Sequence, residues 1–408
     1  MKKTTMQKYA RLIARKGINV QKNQEVIVNA SLDQPEFVKM VVEECYRAGA
    51  KKVTVEWSYQ PLTKLNYRYR SMKTLSTIEK WEEEKLAHRC DVLPAMIYID
   101  SDDPDGLKGI DQNKVSKASQ ARYPILKPYI DKMENKYQWC IAAVPGEAWA
   151  KKVFPGERVG KAVEKLWDAI LYTSRADGDD PVQAWEDHNA DLKARYDYLN
   201  SLGIESLHYT ASNGTNFTVG LISDGLFLGG SEDTLGGVEF NPNIPSEEVF
   251  TSPMKGKADG IVYATRPLSY RGEIIDNFSV RFENGKAVEV HAEKGEELLK
   301  QMISMDENAA YLGECALVPY DSPIRNSEIT FFNTLFDENA CCYLALGRGF
   351  ENCLKDYDKY THEECRQKGI NDSIIHVDFM IGSQDLDIDA HTADGRDVAI
   401  FRNGNWAF

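Results

Sequence analysis

The sequence has few histidines, few cysteines and no long apolar run. Its seven histidines and eight cysteines are spread over 408 residues, and no two cysteines have CxxC spacing. This spread argues against a zinc ribbon or a disulfide framework and favours cysteines that act as small buried hydrophobes. The longest apolar run, residues 340–346, is far shorter than the roughly 20 residues that span a bilayer. The sequence therefore predicts a soluble protein with no membrane partner.

Basic residues are also in short supply. Forty-nine Lys and Arg stand against 63 Asp and Glu, which gives a net charge of -14 at pH 7. This is the wrong sign for neutralising phosphates or an anionic membrane surface, so nucleic acid is not an expected partner. Charges at Lys8, Arg11 and Arg15 interrupt the stretch where a signal peptide would need an apolar core. We therefore expect a cytoplasmic protein.

The first half of the chain alternates strand and helix patterns. Asp33 to Pro35 form a helix start, apolar residues follow at helical spacing, and Gly49 ends the pattern. Charged helical stretches separate four apolar strand patterns, at residues 26–28, 53–55, 95–99 and 140–144. This order predicts βαβ units and a doubly wound parallel sheet. No GxGxxG opens a helix after the first strand, so a dinucleotide site is not supported.

The second half has a different texture. Asn-Gly dipeptides at 213–214, 284–285 and 403–404 separate β-prone runs, as in antiparallel hairpins. A helix with Glu296 and Glu297 in its first turn interrupts them. We therefore predict an α/β protein with two domains: an N-terminal doubly wound parallel-sheet domain over residues 1–203, and a C-terminal α+β domain with antiparallel hairpins over residues 204–408.

One histidine stands in a pattern that suits a metal ligand. His376 and Asp378 alternate with Val377 and Phe379, so a strand presents both polar side chains on one face, about 7 Å apart. The alternative is an ordinary solvated strand face.

Two glutamates have apolar neighbours. Glu248 precedes Val249 and Phe250, and Glu314 precedes residues 315–318, which are apolar. A buried glutamate is costly unless it is paired or bound to a metal, although each could also be exposed at the end of an element. With His376 they suit one or two divalent ions such as Zn, Co, Mn or Mg, which activate water and polarise an amide carbonyl.

Several segments together resemble one known family. They are residues 244–253, 312–314, 332–340, 376–382 and 401–406. In order and approximate spacing the sequence resembles the aminopeptidase T family of metallo-aminopeptidases, which includes aminopeptidase S and PepS. The resemblance implies a usually dimeric, two-domain enzyme that removes N-terminal amino acids from peptides with two divalent metals. It also implies that Glu248, Glu314, His376 and Asp378 are metal ligands.

Two positions depart from the family pattern. Tyr343 stands where the family usually has a histidine ligand, and Phe350 stands where it has an active-site tyrosine. Tyr343 is either an aromatic core residue or a replacement hydroxyl that stabilises the oxyanion. We predict Glu314 and Tyr343 as catalytic residues, with Glu314 acting as more than a ligand.

Three functions follow from these residues. The first is an active aminopeptidase. The second is a catalytically degenerate binding protein on the same scaffold, suggested by Tyr343 and Phe350. The third is a mononuclear metalloenzyme with a non-peptide substrate, its single metal bound by Glu248, His376, Asp378 and Tyr343.

Overall fold

The computed structural model describes residues 2–271 and 273–408. These residues form two compact units. The first unit ends at Asn189 but also includes Gly230–Ser246, and the second contains Ala190–Gly229 and Glu247–Phe408. The predicted domain boundary at residue 203 stays a prediction. Within the described ranges, no helix is both long and apolar enough to cross a membrane.

The secondary structure follows the chain in two stages. The first elements are α1 (Lys3–Leu12), β1 (Glu25–Ser31), α2 (Pro35–Ala48), β2 (Lys52–Ser58), α3 (Gln60–Tyr69), α4 (Met72–Ser76), α5 (Lys80–Val92), β3 (Ala95–Asp100), α6 (Gln112–Met133), β4 (Trp139–Ala143), α7 (Glu147–Val153), α8 (Val159–Thr173) and α9 (Pro181–Ser201). The remaining elements are β5 (Ile204–Thr210), β6 (Asn216–Leu221), β7 (Leu228–Gly229), β8 (Glu232–Asp233), β9 (Glu239–Phe240), β10 (Asn243–Ile244), β11 (Val249–Thr251), β12 (Pro253–Tyr263), β13 (Leu268–Tyr270), β14 (Glu273–Glu283), β15 (Lys286–Lys294), α10 (Glu296–Ile303), β16 (Leu312–Leu317), α11 (Pro323–Asn326), α12 (Thr334–Asp337), β17 (Tyr343–Gly347), α13 (His362–Lys368), β18 (His376–Met380), β19 (Asp387–Thr392), β20 (Asp397–Arg402) and β21 (Asn405–Trp406). A π-helical turn covers Ile13–Gly17, and 3₁₀ turns cover Glu338–Ala340, Glu351–Cys353 and Tyr357–Lys359.

The first unit is built on a parallel sheet with strand order β10-β4-β3-β1-β2. Every neighbouring pair in it is parallel. Helices connect β1 to β2, β2 to β3 and β3 to β4, whereas β10 joins the sheet after a longer stretch that runs from α7 to β9. Helix α2 shows how the sequence sets this layer: Pro35 stands in its first turn, and Gly49 ends it in the left-handed conformation. The predicted α/β class, with a doubly wound parallel sheet, is confirmed.

The second unit is built on two antiparallel sheets. One has five strands in the order β18-β17-β16-β11-β7, and the other has nine strands, β5 and β6 among them. Apolar side chains from both sheets and from α10 form one buried core, which includes Phe217, Leu299, Leu317, Leu344 and Phe379. The hydrophobic effect therefore holds one face of the five-stranded sheet against this core. The other face does not contribute to this core and can carry polar residues.

Asn-Gly turns connect the hairpins of the second unit as predicted. Asn284 and Gly285 join β14 to β15, and both have positive φ, at 49° and 81°. Asn403 and Gly404 join β20 to β21 in the same way, with φ of 50° and 73°. Two consecutive positive φ values match the type I′ turn, whose twist suits an antiparallel hairpin.

Candidate metal centre

The five-stranded sheet separates polar from apolar residues by strand alternation. In β18, Val377 and Phe379 belong to the core, so His376 and Asp378 point to the opposite face. The register places Asp378 beside Ala345 of β17, and Ala345 beside Glu314 of β16. The small Ala345 side chain between them lets the side chains of Glu314 and Asp378 converge over β17.

Three side chains form the centre of this face. His376 Nε2 lies 3.2 Å from Glu314 Oε2 and 3.1 Å from Asp378 Oδ1. One potential ligand atom from each of the three residues lies within 4.8 Å of the others. Asp378 Oδ1 is buried, and its contact with His376 Nε2 is an ion pair that lacks the geometry of a hydrogen bond. A buried carboxylate oxygen without a well-directed hydrogen bond, beside an imidazole nitrogen, fits a divalent cation.

The orientation of His376 is fixed by the backbone. Its Nδ1 lies 2.6 Å from the carbonyl oxygen of Arg348, which only accepts hydrogen bonds, so Nδ1 carries the proton. In the neutral imidazole, Nε2 is then the atom with the free lone pair, and it is the atom that faces the carboxylates. A carbonyl on the outer nitrogen is the usual support for a metal-binding histidine.

Charge in the centre is unbalanced without a cation. Burial lowers the pKa of His376, but Asp378 and Glu314 more than offset this and hold it well above the ordinary value. Burial raises the pKa of Glu314 although His376 opposes the shift. A bound cation would take the place of the imidazolium proton, because a metal ligand must be deprotonated.

Glu248 reaches the centre through Tyr343. The Tyr343 hydroxyl contacts Glu248 Oε2 at 2.7 Å and Glu314 Oε1 at 3.0 Å. A phenol has one proton, so it donates to one carboxylate at a time. Burial, followed by Glu248 and Glu314, raises the pKa of Tyr343 well above its ordinary value, which keeps the hydroxyl protonated.

Glu338 is a further carboxylate that the sequence analysis did not select. It lies in the 3₁₀ turn Glu338–Ala340, is buried, and shares a hydrogen bond with Asp378. Burial raises its pKa far above the ordinary value, and the neighbouring Asp378, Glu248 and Glu314 raise it further. A protonated Glu338 donates to Asp378 and thereby helps to orient it. The polar neighbours Asp337 and Asn339 give no sequence signal that Glu338 is buried.

The turn that carries Glu338 is tied to the segment that carries Glu248. Asn339 Oδ1 accepts the backbone N–H of Glu247 at 2.6 Å, and its Nδ2 donates to the carbonyl of Leu335 at 3.1 Å. Asn339 is fully buried. The amide side chain therefore fixes the backbone next to Glu248, which sets the direction of that carboxylate.

Phe350 forms an aromatic wall beside the imidazole. Its ring centroid lies 4.9 Å from that of His376 and 5.7 Å from that of Phe250. The side chain of His376 keeps 27% of its surface exposed, whereas that of Glu314 keeps 3%. The centre is therefore accessible on the imidazole side, where Phe350 provides an apolar contact surface.

Comparisons with known proteins identify the family of the chain. The family described as thermophilic metalloprotease (M29) matches residues 2–406. The chain belongs to the M29 metalloprotease family. The family predicted from the sequence, which contains aminopeptidase T, is thus confirmed.

Individual M29 relatives match along nearly their whole length. Aminopeptidase AmpS of Bacillus subtilis is 43% identical over 98% of both chains. Aminopeptidase T of Thermus thermophilus is 39% identical over 99% of this chain and 98% of its own. The solved structure of wild-type AmpT from Thermus thermophilus superposes with a TM-score of 0.89 at 37% identity and covers 100% of both chains.

A more distant structure shares the fold alone. The 2,5-dihydroxypyridine dioxygenase of Pseudomonas putida has a TM-score of 0.50 at 14% identity and covers 99% of this chain and 96% of its own. At this identity the likeness carries no argument about substrate or chemistry.

The structure brings all of the sequence-selected site residues into one cluster. His376 contacts both Glu314 and Asp378, and the Tyr343 hydroxyl connects Glu248 to Glu314. Their roles as metal ligands and catalytic groups stay predictions. The alternation of polar and apolar residues in the strand predicted that His376 and Asp378 share a face. It gave no signal for Glu338 or for the Arg348 carbonyl that supports His376.

Proposed function

We propose that this chain is a metal-dependent aminopeptidase that removes N-terminal amino acids from peptides. The observation that carries the proposal is the buried cluster of Glu314, His376 and Asp378, which provides three ligand atoms within 4.8 Å in an M29 family member. Aminopeptidases among the relatives support the reaction class. The first of the three candidate functions is therefore the one that we adopt.

The three residues would hold a divalent cation, with Glu248 as a further candidate ligand. Such a cation supplies Lewis-acid polarisation of the scissile carbonyl and acidifies water. Imidazole and carboxylate ligands suit zinc, cobalt and manganese, and we propose zinc as the resident metal. The resemblance implies two ions.

The remaining groups of the site have roles that their contacts suggest. Glu314 keeps one oxygen towards His376 and the other towards Tyr343, so it can accept a proton from the attacking water while it remains in place. Glu248 adds negative charge that suits the ammonium group of a peptide N-terminus, whereas the protonated Glu338 orients Asp378. The predicted role of Tyr343 as an oxyanion donor stays a prediction, since its single proton is shared with two carboxylates.

We further propose a cytoplasmic homodimer. Eight buried cysteines fit a reducing compartment, where thiols are kept as packing residues. The dimer is inferred from the family resemblance. Light scattering coupled to size exclusion checks it, and a monomer at micromolar concentration contradicts it.

Hydrolysis of amino-acid amides tests the proposed activity. Purified protein is incubated with Zn²⁺, Co²⁺, Mn²⁺ or Mg²⁺, and release of the free amino acid is measured. We expect turnover with at least one metal and a loss on the order of 10³-fold or more in kcat for Glu314→Gln, because that variant removes both a ligand and a proton acceptor.

Glu297→Gln is the matched control for this experiment. Glu297 lies on α10 with 82% of its side chain exposed, so the same chemical change should leave kcat unaffected. If the folded protein hydrolyses no amide with any of the four metals, the proposed activity is contradicted, and the catalytically degenerate binding protein becomes the better interpretation.

A further inference from the structure

The two oxygens of Glu314 face different chemistry. Oε2 lies 3.2 Å from the imidazole nitrogen of His376, and Oε1 lies 3.0 Å from the hydroxyl of Tyr343. A carboxylate that bridges two cations presents one oxygen to each of them. In this chain Glu314 has the position of a bridging ligand, but a phenol stands on one side of the bridge.

The contacts of Tyr343 have the lengths of hydrogen bonds. Its hydroxyl oxygen lies 2.7 Å from Glu248 Oε2 and 3.0 Å from Glu314 Oε1. Oxygen ligands at about 2.0–2.2 Å from a tetrahedral ion are about 3.3–3.6 Å from one another. The hydroxyl thus occupies the space between the two carboxylates, and a cation that bound both of them there would have to displace it.

The ring of Tyr343 is buried and closely surrounded by other side chains. It is 3% exposed and belongs to a buried cluster with Phe250, Ala316 and Met380. Ala316 and Met380 are its direct neighbours on β16 and β18, so they flank it on both sides within the sheet. Close packing of this kind resists a change of rotamer, and it holds the hydroxyl between Glu248 and Glu314.

The opposite side of Glu314 is arranged differently. There, Glu314 Oε2, His376 Nε2 and Asp378 Oδ1 converge, and Nδ1 of His376 already carries the proton that the Arg348 carbonyl requires. Once the imidazole is neutral, these three atoms are all acceptors. One position therefore suits a cation, and the other already holds a hydrogen-bond donor.

We propose that each chain binds a single divalent cation, held by Glu314, His376 and Asp378, and that the Tyr343 hydroxyl occupies the position where a second ion would bind Glu248 and Glu314. This proposal rests on the metal centre of the proposed function. It means that Glu248 is held by a hydrogen bond instead of a cation, and that one Lewis acid serves the reaction.

Metal stoichiometry tests the proposal without any activity assay. Chelated and dialysed protein is titrated with Zn²⁺ in a calorimeter, and the bound metal is counted by mass spectrometry after gel filtration. We expect one equivalent for the wild-type chain and one for Glu248→Gln, because Glu248 does not hold that ion. Tyr343→Phe, which removes the hydroxyl without adding a ligand, should also bind one.

Tyr343→His should gain a second equivalent, because it exchanges the hydroxyl for an imidazole ligand beside Glu248 and Glu314. We expect the second Zn²⁺ to bind this variant at least about tenfold more tightly than any second Zn²⁺ binds the wild-type chain. Circular dichroism and thermal melting check the fold of each variant, and if Tyr343→His does not fold, the comparison of wild type with Glu248→Gln decides.

Two outcomes separate this proposal from the one on which it rests. Two equivalents in the wild type, reduced to one in Glu248→Gln, would overturn it and make Tyr343 a neighbour or a ligand of a second ion. A folded wild-type chain that binds no Zn²⁺, Co²⁺ or Mn²⁺ would instead overturn the proposed metal centre itself.

Discussion

The two faces of the five-stranded sheet carry different side chains although the same strands build both. One face contributes Leu317, Leu344 and Phe379 to the core of the second unit, and the other carries Glu314 and His376. Apolar burial on the first face stabilises the fold, whereas the second face gathers carboxylates that repel one another. Burial of apolar side chains on the core face therefore offsets the repulsion between the carboxylates on the site face.

The largest effect should come from His376→Ala, which breaks only the site face. Removing the imidazole leaves two carboxylates to hold the ion, so we expect loss of bound metal and a fall in kcat on the order of 10³-fold or more. Elemental analysis and amide turnover measure both effects. The melting temperature should also fall, because Glu314 and Asp378 stay buried without the imidazole between them, so circular dichroism checks that the variant is folded. Unchanged metal content in the folded variant would contradict the assignment of His376 as a ligand.

Phe379→Ala makes the reverse change on the same strand. Phe379 is 1% exposed and its ring lies 5.8 Å from that of Phe278, so truncation leaves a cavity in the core. We expect the free energy of unfolding to fall by about 3–5 kcal/mol, as measured by chemical denaturation. Metal stoichiometry should be retained at temperatures where the variant is folded. A loss of metal from the folded variant would show that the two faces are not independent.

Phe350→Tyr changes only the site face, because it adds a hydroxyl group there and leaves the core face as it is. A hydroxyl at the ring edge beside His376 would provide the donor that the family resemblance predicts at this position, and we expect kcat to rise by about tenfold to 10²-fold. Phe350→Leu is the control, because it changes the ring without adding a donor. Equal rates for Phe350→Tyr and the wild type would argue that Phe350 does not approach the reacting carbonyl.

The smallest effect is expected outside both faces, at the start of α13. Thr361 accepts a hydrogen bond from Glu364 N, and the Glu364 carboxylate accepts one from Thr361 N, which forms a capping box. Thr361→Ala should lower the free energy of unfolding by about 1 kcal/mol and leave kcat and metal content as they are. Altered turnover in this variant would mean that α13 supports the site.

Local sequence patterns predicted the strands of the sheet better than they predicted which residues form the site. The alternation of His376 and Asp378 with Val377 and Phe379 was sufficient to place two polar residues on one strand face. Glu338 could not be found this way, because it lies on a 3₁₀ turn with no alternation and with polar neighbours on both sides. Its burial depends on the sheet below it, which no local window contains.

Long-range placement is the other limit of sequence reasoning. Glu248, Glu314 and His376 are far apart in the chain, and no periodicity indicates that β11, β16 and β18 lie in one sheet. The family resemblance supplied their association. The two-residue strand β10 was not predicted either, since Asn243 and Ile244 are too short a segment to carry a strand pattern.

That short strand has a consequence for biosynthesis. Asn243 and Ile244 pair in parallel with Ile141 and Ala142 and so complete the edge of the parallel sheet beside β4. As the ribosome releases the chain, β4 is finished about 100 residues before its outer neighbour emerges. Until then its edge offers unpaired N–H and C=O groups, which invites association with other nascent chains. A truncated polypeptide ending at residue 203 would keep that open edge permanently, so it should associate more readily than the whole chain does.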